Sequence, residues 1–584
     1  MAEAKAKKQS GNSGIARFLP IVTWLPRYDR SWLRGDLIAG LTVAALVVPK
    51  SLGYAGIAGV PIQHGLYAAA AGAILYALFG TSRQSATGPS SALAAVAASA
   101  IVAAGISSGD DAVPLVAAIT LVTGLLFLLL ALFKMGWISQ FLSKAVITGF
   151  LFGSAIEVVI GELPKITGTT AQGSNSWQKL FSWLGGLSDI DGTTLLVGLL
   201  SLALIFGLRF TVPKVPGALV LVVAGLIASV AFDLGDRGLA LVGDVPRGLP
   251  SLALPNLQFV VENLPVIGSA AVGLLLIGFS QSAGDARAFA TKHKYRIDIN
   301  QESVAQGVAN VGSGLVQGIP VSTSLSSSSL NDTSGAKTPL ASLTTGALVV
   351  LTLLVLAPLF SNLPKAVLSA LIIEAVVMGM MDVKEMRRLR RVARVDFWIA
   401  VAAIVGVLGA GVLAGVMIGV VLSISWLVYI SATPHMPVLG RRPGTQSFRG
   451  VADHPDSETY PGLLVLRFDA GLFFASADAL SNRLSELVHQ ADPEVHTIVL
   501  DFEGINFIDS QGTNKVAEIL DLATSYGIEL RLTRVKTGVQ ALLQRDGIIN
   551  RLGESHIYSN VYEAAADQIP AHQMDGRMTT SEDV

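Results

Sequence analysis

TGPSSALAA at 87–95 and PVSTSLSSSSL at 320–330 decide the fold. Each is a Pro-, Ser- and Thr-rich start to a helix, set at membrane depth where a helix start should not be. Irregular backbone inside a bilayer persists only where protein or a water-lined cavity satisfies it. A half-helix N-terminus offers unpaired N–H groups and a partial positive charge. Two such ends facing each other make an anion site, with Ser and Thr hydroxyls as further donors. The competing reading is that these small residues only pack between helices. It accounts for one such segment better than for two at related positions.

The positions are related by an internal repeat. SKAVITGF at 143–150 opens the fifth apolar span and PKAVLSAL at 364–371 opens the twelfth. The two Ser/Thr-rich starts belong to spans three and ten, the same offset of seven. Apolar stretches lie near 37–54, 63–80, 89–105, 113–133, 139–160, 193–210, 217–233, 265–283, 302–318, 340–358 and 364–380. From Phe397 to Pro434 no Asp, Glu, Lys or Arg occurs. That run holds two spans of about 20 residues, with the turn expected around Gly406 to Gly415. Adding the polar segment near 321–333 gives fourteen. An odd offset makes the halves run in opposite directions, and inverted repeats with broken helices are the pattern of secondary transporters.

Composition agrees with a membrane protein. Of 584 residues, 51% are hydrophobic and 14% charged, with mean hydropathy +0.58. A soluble domain carries about 25% charged residues. The net charge of −1 gives no basic signal for nucleic acid. Cysteine is absent, which excludes disulfides and thiolate chemistry. The eight His show no metal-ligand spacing, there is no P-loop, and no catalytic constellation appears, so no enzyme, metal or ATP-driven pump is expected.

Lys and Arg placement sets the expected orientation. Lys5, Lys7, Lys8, Arg17, Arg27, Arg30 and Arg34 precede span one. Arg287, Lys292, Lys294 and Arg296 follow span eight, and Lys384 to Arg394 follow span twelve. All fall on one side, so both termini are expected in the cytoplasm. No removed signal peptide is expected. From about residue 440 strand-like runs at Leu463–Phe468, Thr497–Phe502 and Glu529–Thr533 alternate with amphipathic helices at Ala477–Gln490 and Thr513–Tyr526. That alternation predicts a small α/β domain. The expected division is 1–35 cytoplasmic segment, 36–435 transport domain, 436–460 linker, 461–570 α/β domain and 571–584 disordered tail.

DLIAGLTVAALVVPKSLGYA at 36–55, GLYAAAAGAILYALFGTSRQSATGPSSAL at 65–93, VGDVPRGLP at 242–250, GFSQSAGDARAFA at 278–290 and PVSTSLSSSSLN at 320–331 resemble the SulP anion transporters, the sulfate-permease group. IVLDFEGINFIDSQG at 498–512 resembles the core of a STAS domain, that family's cytoplasmic module. The resemblance implies a polytopic α-helical fold of 14 spans as a 7+7 inverted repeat. Spans 1–4 and 8–11 would form a core domain, and spans 5–7 and 12–14 a gate domain. It implies a site between half-helices three and ten beside spans one and eight. The residues expected to bind the anion there are Lys50, Thr87, Gly88, Ser90, Ser91, Ser322, Thr323, Ser324, Ser326 and Ser327, with Tyr54 lining the site or merely packing. Members are similar in carrying sulfate, bicarbonate, chloride or carboxylates, often with H⁺ or Na⁺, by elevator-like movement of core against gate. The resemblance also implies a homodimer in the inner (plasma) membrane and no cofactor beyond the anion and its coupling ion. A passive anion channel or exchanger and a STAS-linked sensor are the alternatives. An uncharged-solute permease of the same fold would need a carboxylate rather than a lysine at the site.

The sequence departs from the family pattern at three places. Lys50 stands where a Gln commonly precedes the Ser of span one. Ser327 stands where many members have Arg. Gln281 stands where an acidic residue usually follows GFS, with Asp285 one helical turn on. A charge at bilayer depth costs about 2.5–3.5 kcal/mol, so it implies a purpose. Lys50 is expected to attract the anion. Gln281 and Asp285 are the expected coupling-ion residues, with Asp285 paired to Lys50 when the site is empty. The competing readings are a structural ion pair, or an Asp285 at the cytoplasmic rim beside Arg287. Glu157 and Glu374, in the repeat-related spans five and twelve, are further proton-linked candidates, unless they meet an aqueous vestibule and titrate normally. Pro164 and Lys165 suggest that span five ends near them, leaving Glu157 partly buried. Ser510 matches a phosphorylated position of bacterial anti-sigma-factor antagonists. A helix-initiating turn is the expected role of Asp509 and Ser510.

Overall fold

The computed structural model describes residues 19–135, 143–173, 175–212, 215–491 and 494–570. The tail 571–584, the basic residues before 19 and the first residues of the expected fifth span lie outside these. The chain forms two compact units that divide between Ser423 and Ile424.

Fourteen helices stand where the fourteen spans are expected among the described residues, with the tenth polar and the last running across the division between the units. The first seven are α1 Leu33–Ala58, α2 Gln63–Phe79, α3 Ser91–Ala103, α4 Val113–Leu132, α5 Lys144–Thr167, α6 Gly192–Thr211 and α7 Gly217–Ala231. The second seven are α8 Leu264–Lys292, α9 Ile299–Leu315, α10 Leu325–Thr333, α11 Leu340–Leu351, α12 Lys365–Met380, α13 Arg394–Ala410 and α14 Val412–Ala432. Eight helices are long and apolar enough to cross a bilayer unaided. The odd ones out carry the message. α3 has 13 residues and α10 has nine, and each follows a three-residue strand, β1 Thr87–Pro89 and β2 Val321–Thr323. β1 and β2 pair antiparallel, with Thr87 opposite Thr323, Gly88 opposite Ser322 and Pro89 opposite Val321. Lys144 and Lys365, the second residues of the two repeat motifs, open α5 and α12.

Packing separates the helices into two groups. α1–α4 and α8–α11 pack mainly on one another, and α5–α7 with α12 and α13 do the same. Small residues set the closeness within each group. A Cβ on Gly124 of α4 would stand 2.6 Å from the Val311 nitrogen of α9, and one on Gly149 of α5 would stand 2.4 Å from the Ala400 oxygen of α13. The seam between the groups brings α1 against α12, where a Cβ on Gly53 would lie 2.9 Å from Leu371. The turn between α13 and α14 falls at Gly411, whose φ of +87° suits a residue without Cβ.

α5 ends at Thr167, near Pro164 and Lys165 as expected, with Glu157 inside the helix. Its side chain is half-buried and Oε2 has no hydrogen-bond partner. Two fully buried carboxylates, Asp36 and Glu302, escaped the sequence reading. Asp36 accepts from Lys337 N at 2.7 Å, Thr338 N at 3.1 Å, the Thr338 hydroxyl at 2.7 Å and the Tyr28 hydroxyl at 3.1 Å. Glu302 accepts from the Tyr76 hydroxyl at 2.5 Å, Thr81 N at 2.7 Å, the Thr81 hydroxyl at 2.5 Å and Ser82 N at 3.0 Å. Saturated this way, a buried carboxylate holds loops together.

The second unit carries a hairpin, β3 Leu439–Arg441 with β4 Phe448–Gly450, and a parallel sheet. The sheet order is β5 Leu463–Arg467, β6 Thr497–Asp501, β7 Glu529–Thr533 and β8 Ile557–Tyr558. Helices α15 Ala477–Gln490, α16 Ser510–Ser525, α17 Thr537–Arg545, α18 Ile548–Leu552 and α19 Val561–Ala565 flank it. Leu466, Phe502, Val516, Leu532 and Leu543 are among its core. The segment 436–460, expected as a linker, is built into this unit. Leu439 packs with Val465, Val499 and Val561, and Arg441 N donates to Glu458 O at 2.8 Å.

Candidate functional site

The α3 and α10 N-termini converge because β1 and β2 share a ladder. Two side chains of α9 and α10 extend it. Asn310 accepts from Val321 N at 3.0 Å through Oδ1 and donates to Val321 O at 2.9 Å through Nδ2, completing both backbone groups of that residue. Ser328 Oγ accepts from Ala86 N at 2.9 Å, and Ser324 N donates to Ala86 O at 3.1 Å. Gln306 donates to the Thr87 hydroxyl at 3.2 Å. The irregular backbone is therefore satisfied by protein, as its depth demands.

The helix ends differ in capping. Ser90 caps α3 by accepting from Leu93 N at 3.4 Å. Ser324 occupies the same position on α10 and makes no side-chain cap. Its carbonyl accepts from Ser328 N at 2.8 Å, leaving the preceding N–H groups of the first turn for another partner.

One narrow cavity opens on both ends. Lys50 and Tyr54 of α1, Thr87 and Gly88 of β1, and Ser324 and Ser327 of α10 line it. Ser51, Ser342 and Thr345 add polar wall, and Val43, Val47, Ala73, Ala86 and Pro89 add apolar wall. Six of the sequence-expected residues thus meet at one place. The other anion candidates do not line it. Ser90 is spent on the cap, and Ser91 is buried towards Gly379 of α12. Ser322 donates to Gln281 Oε1 at 2.8 Å, Thr323 is buried, and Ser326 is exposed with its Oγ 3.1 Å from Ser324 Oγ.

The expected pair of Lys50 with Asp285 does not form. Lys50 makes no ion pair among the described residues, and α1, which carries it, packs on α12, which carries Glu374. Asp285 on α8 is buried beside Thr323, its Oδ2 has no hydrogen-bond partner, and it makes no ion pair among the described residues. The physical reason is placement: Asp285 on α8 lies beside Thr323 of β2, whereas Lys50 on α1 lines the cavity with Thr87, Gly88, Ser324 and Ser327. Nor is Asp285 a rim residue like Arg287, which is exposed. Glu374 is buried, and Arg209 Nη1 lies 3.5 Å from its Oε1. Arg209 was legible only as a lone cation at the end of an apolar stretch. Glu157 is found elsewhere, in a crevice with Ser99 of α3 and Lys179 of the short helix Ser176–Gly185.

In the second unit Asp509 caps α16, accepting from Gly512 N at 2.8 Å, and its other oxygen accepts from Phe474 N at 3.1 Å. Ser510 is exposed at the first turn. The helix-initiating reading of this motif is the one the geometry carries.

A model of the sulfate permease family matches residues 33–403, and a model of the STAS domain matches residues 454–564. The probable sulfate transporter MT1781 of Mycobacterium tuberculosis is 34% identical over 545 residues, 93% of this chain and 96% of that protein. The chloroplastic sulfate transporter 4.1 of Arabidopsis thaliana is 28% identical over 582 residues, 96% of this chain and 84% of that protein. Among solved structures, the murine anion transporter Slc26a9 in its inward-facing state superposes with a TM-score of 0.87 at 20% identity, covering 96% of each chain. The transmembrane domain of a cyanobacterium bicarbonate transporter, BicA, gives 0.58 at 24% identity, covering 68% of this chain and 98% of that domain. These likenesses establish the fold of a helical membrane protein with a C-terminal STAS domain. The chain belongs to the sulfate permease family.

Proposed function

We propose that this protein is a secondary active transporter of small anions, with sulfate, bicarbonate or a small carboxylate as cargo. The observation that carries the reading is the cavity on which both half-helix N-termini and Lys50 open. Helix-end N–H groups and a lysine suit an anion and no common cation. The cavity is lined by one helix group, and α1, which carries Lys50 and Tyr54, also packs on α12 of the other; that placement suits alternating access, in which the group bearing α1, α3 and α10 shifts against the group bearing α12. The protein acts in the inner (plasma) membrane with both termini cytoplasmic, as a homodimer. The curated relatives named as sulfate transporters support the cargo class.

The test is uptake of labelled sulfate, bicarbonate and dicarboxylates into proteoliposomes, with pH and Na⁺ gradients imposed separately. Accumulation above the outside concentration is the expected result. Flux that only equilibrates would assign a pore instead.

A further inference from the structure

The crevice that holds Glu157 lies where α3, α5 and α13 meet the short helix Ser176–Gly185, and it encloses about 320 Å³. Gly56 and Ile57 of α1 reach it too, so both helix groups line it. A volume of this size holds a small molecule. Three of its polar groups have no partner among the described residues. Glu157 Oε2 and Ser176 Oγ are buried and make no hydrogen bond, and Ser176 is 3% exposed. Lys179 shares the crevice with Glu157, yet no ion pair joins the two. The other carboxylate on the wall, Glu162, is already bound to Lys165 at 2.7 Å and to Ser369 of α12 at 2.6 Å.

Charge narrows the occupant. A buried carboxylate oxygen or hydroxyl without a partner costs free energy, so a ligand that supplies one is favoured. A plain cation suits Glu157 but meets Lys179. A plain anion suits Lys179 and Ser176 but meets Glu157. A zwitterion satisfies all three. Its cation must carry N–H, because Glu157 Oε2 lacks a donor. Its anion gains further from the N-terminal end of the helix Ser176–Gly185, which carries a partial positive charge.

Position narrows it again. Trp177, Phe181 and Leu184 recur at i, i+4 and i+7 along that helix, and all are exposed. An exposed apolar face with a Trp belongs to a helix lying in the membrane interface. Ser176 and Lys179 of the same helix enter the crevice from that level. Val102 of α3, on the crevice wall, is exposed as well. The crevice therefore opens where lipid headgroups lie, with apolar wall for the start of an acyl chain.

We propose that this crevice binds the headgroup of a phospholipid of the phosphatidylethanolamine type, with its ammonium on Glu157 and its phosphate on Lys179 and Ser176. A choline headgroup has no N–H for Glu157, and a glycerol headgroup has no cation. The bound lipid touches α1 and α3 of one helix group and α5 and α13 of the other.

The experiment is the thermal unfolding midpoint of the full chain in detergent, with added dihexanoyl phosphatidylethanolamine, dihexanoyl phosphatidylcholine or free phosphoethanolamine. The wild type is expected to gain several degrees with phosphatidylethanolamine and little with the other two. Glu157→Gln and Lys179→Gln are each expected to lose most of that gain. No gain from phosphatidylethanolamine overturns the proposal. So do equal gains from the two lipids, and so does a gain that both variants keep. An equal gain from free phosphoethanolamine assigns the crevice to a soluble zwitterion and overturns the lipid. Where Glu157→Gln does not fold, Lys179→Gln decides alone, because its half-exposed side chain stands on a surface helix.

Discussion

Thr87 and Thr323 are Cα partners in the β1–β2 ladder, so the half-helices α3 and α10 start from one shared pair of strands. The distance between their N-termini is thus fixed by backbone hydrogen bonds rather than by side-chain packing. Gly88, next along β1, lines the cavity, and a Cβ there would meet nothing within 4 Å. Gly88→Ala is expected to fold normally and to place its methyl in the space an anion uses. Sulfate uptake falls more than chloride uptake, because the larger anion needs that space. Equal effects on both, read as KM in proteoliposomes, would remove Gly88 from the site.

Lys50 is the one lysine that lines this cavity. Replacing it with Gln keeps a hydrogen-bond donor and removes the charge. A hydrogen bond to a charged group contributes about 1.5–3 kcal/mol. Lys50→Gln is therefore expected to weaken sulfate binding by about 10- to 100-fold. The check is KM for sulfate, or binding in detergent, with the size-exclusion profile showing that the protein still folds. An unchanged KM would leave anion attraction to the helix ends and hydroxyls alone.

Glu302 and Glu374 are both buried carboxylates, but only the first has its oxygens filled by four protein donors. Glu302→Ala strands the Tyr76 hydroxyl and two backbone N–H groups, each orphan costing about 1–3 kcal/mol. The midpoint of thermal unfolding in detergent is expected to drop sharply for Glu302→Ala, and less for Glu302→Gln, whose amide oxygen still accepts. A Glu302→Ala protein as stable as the wild type would show that these loops are held by other contacts.

The Ser/Thr-rich starts were legible because their composition contradicts their depth, and the repeat was legible because SKAV and PKAV stand at the same offset. Strands β5, β6 and β7 were legible as apolar alternating runs, while two-residue β8 was too short to show a period. The hairpin in 436–460 was hidden because its strands are three residues each, too short to show a period, and carry Arg441 and Arg449. What sequence could not yield was partnership. Lys50 and Asp285 both lie within the family motifs, yet the fold lines the half-helix cavity with Lys50 and leaves Asp285 beside Thr323, and it brings Arg209 to Glu374 from 165 positions away. Asp36 and Glu302 stand at the ends of apolar stretches, and nothing in the chain announces the donors that loops bring to them.

The last prediction concerns pH and the STAS unit. Arg531 donates to both oxygens of Asp567, at 2.5 and 2.7 Å, and to Ala564 O at 2.5 Å, fastening the segment that holds α19. Hydrogen bonding from Arg531, with its charge, holds the Asp567 carboxyl down at about 2. A depressed acid stabilises the fold above its unfolded value and loses that contribution as pH falls through the folded one. The window is thus between the ordinary 3.8 and about 2. Asp567 is half exposed, so solvent screening keeps the effect small. In wild type, amide exchange across Val561–Ala565 is expected to gain a new increment as pH drops through this window. Asp567→Asn should already exchange faster at neutral pH, by up to about fivefold for a pair of this exposure, and should lack the increment. Identical exchange in the two proteins at neutral pH would show that Glu529, the other carboxylate on Arg531, suffices to hold that guanidinium and the helix behind it.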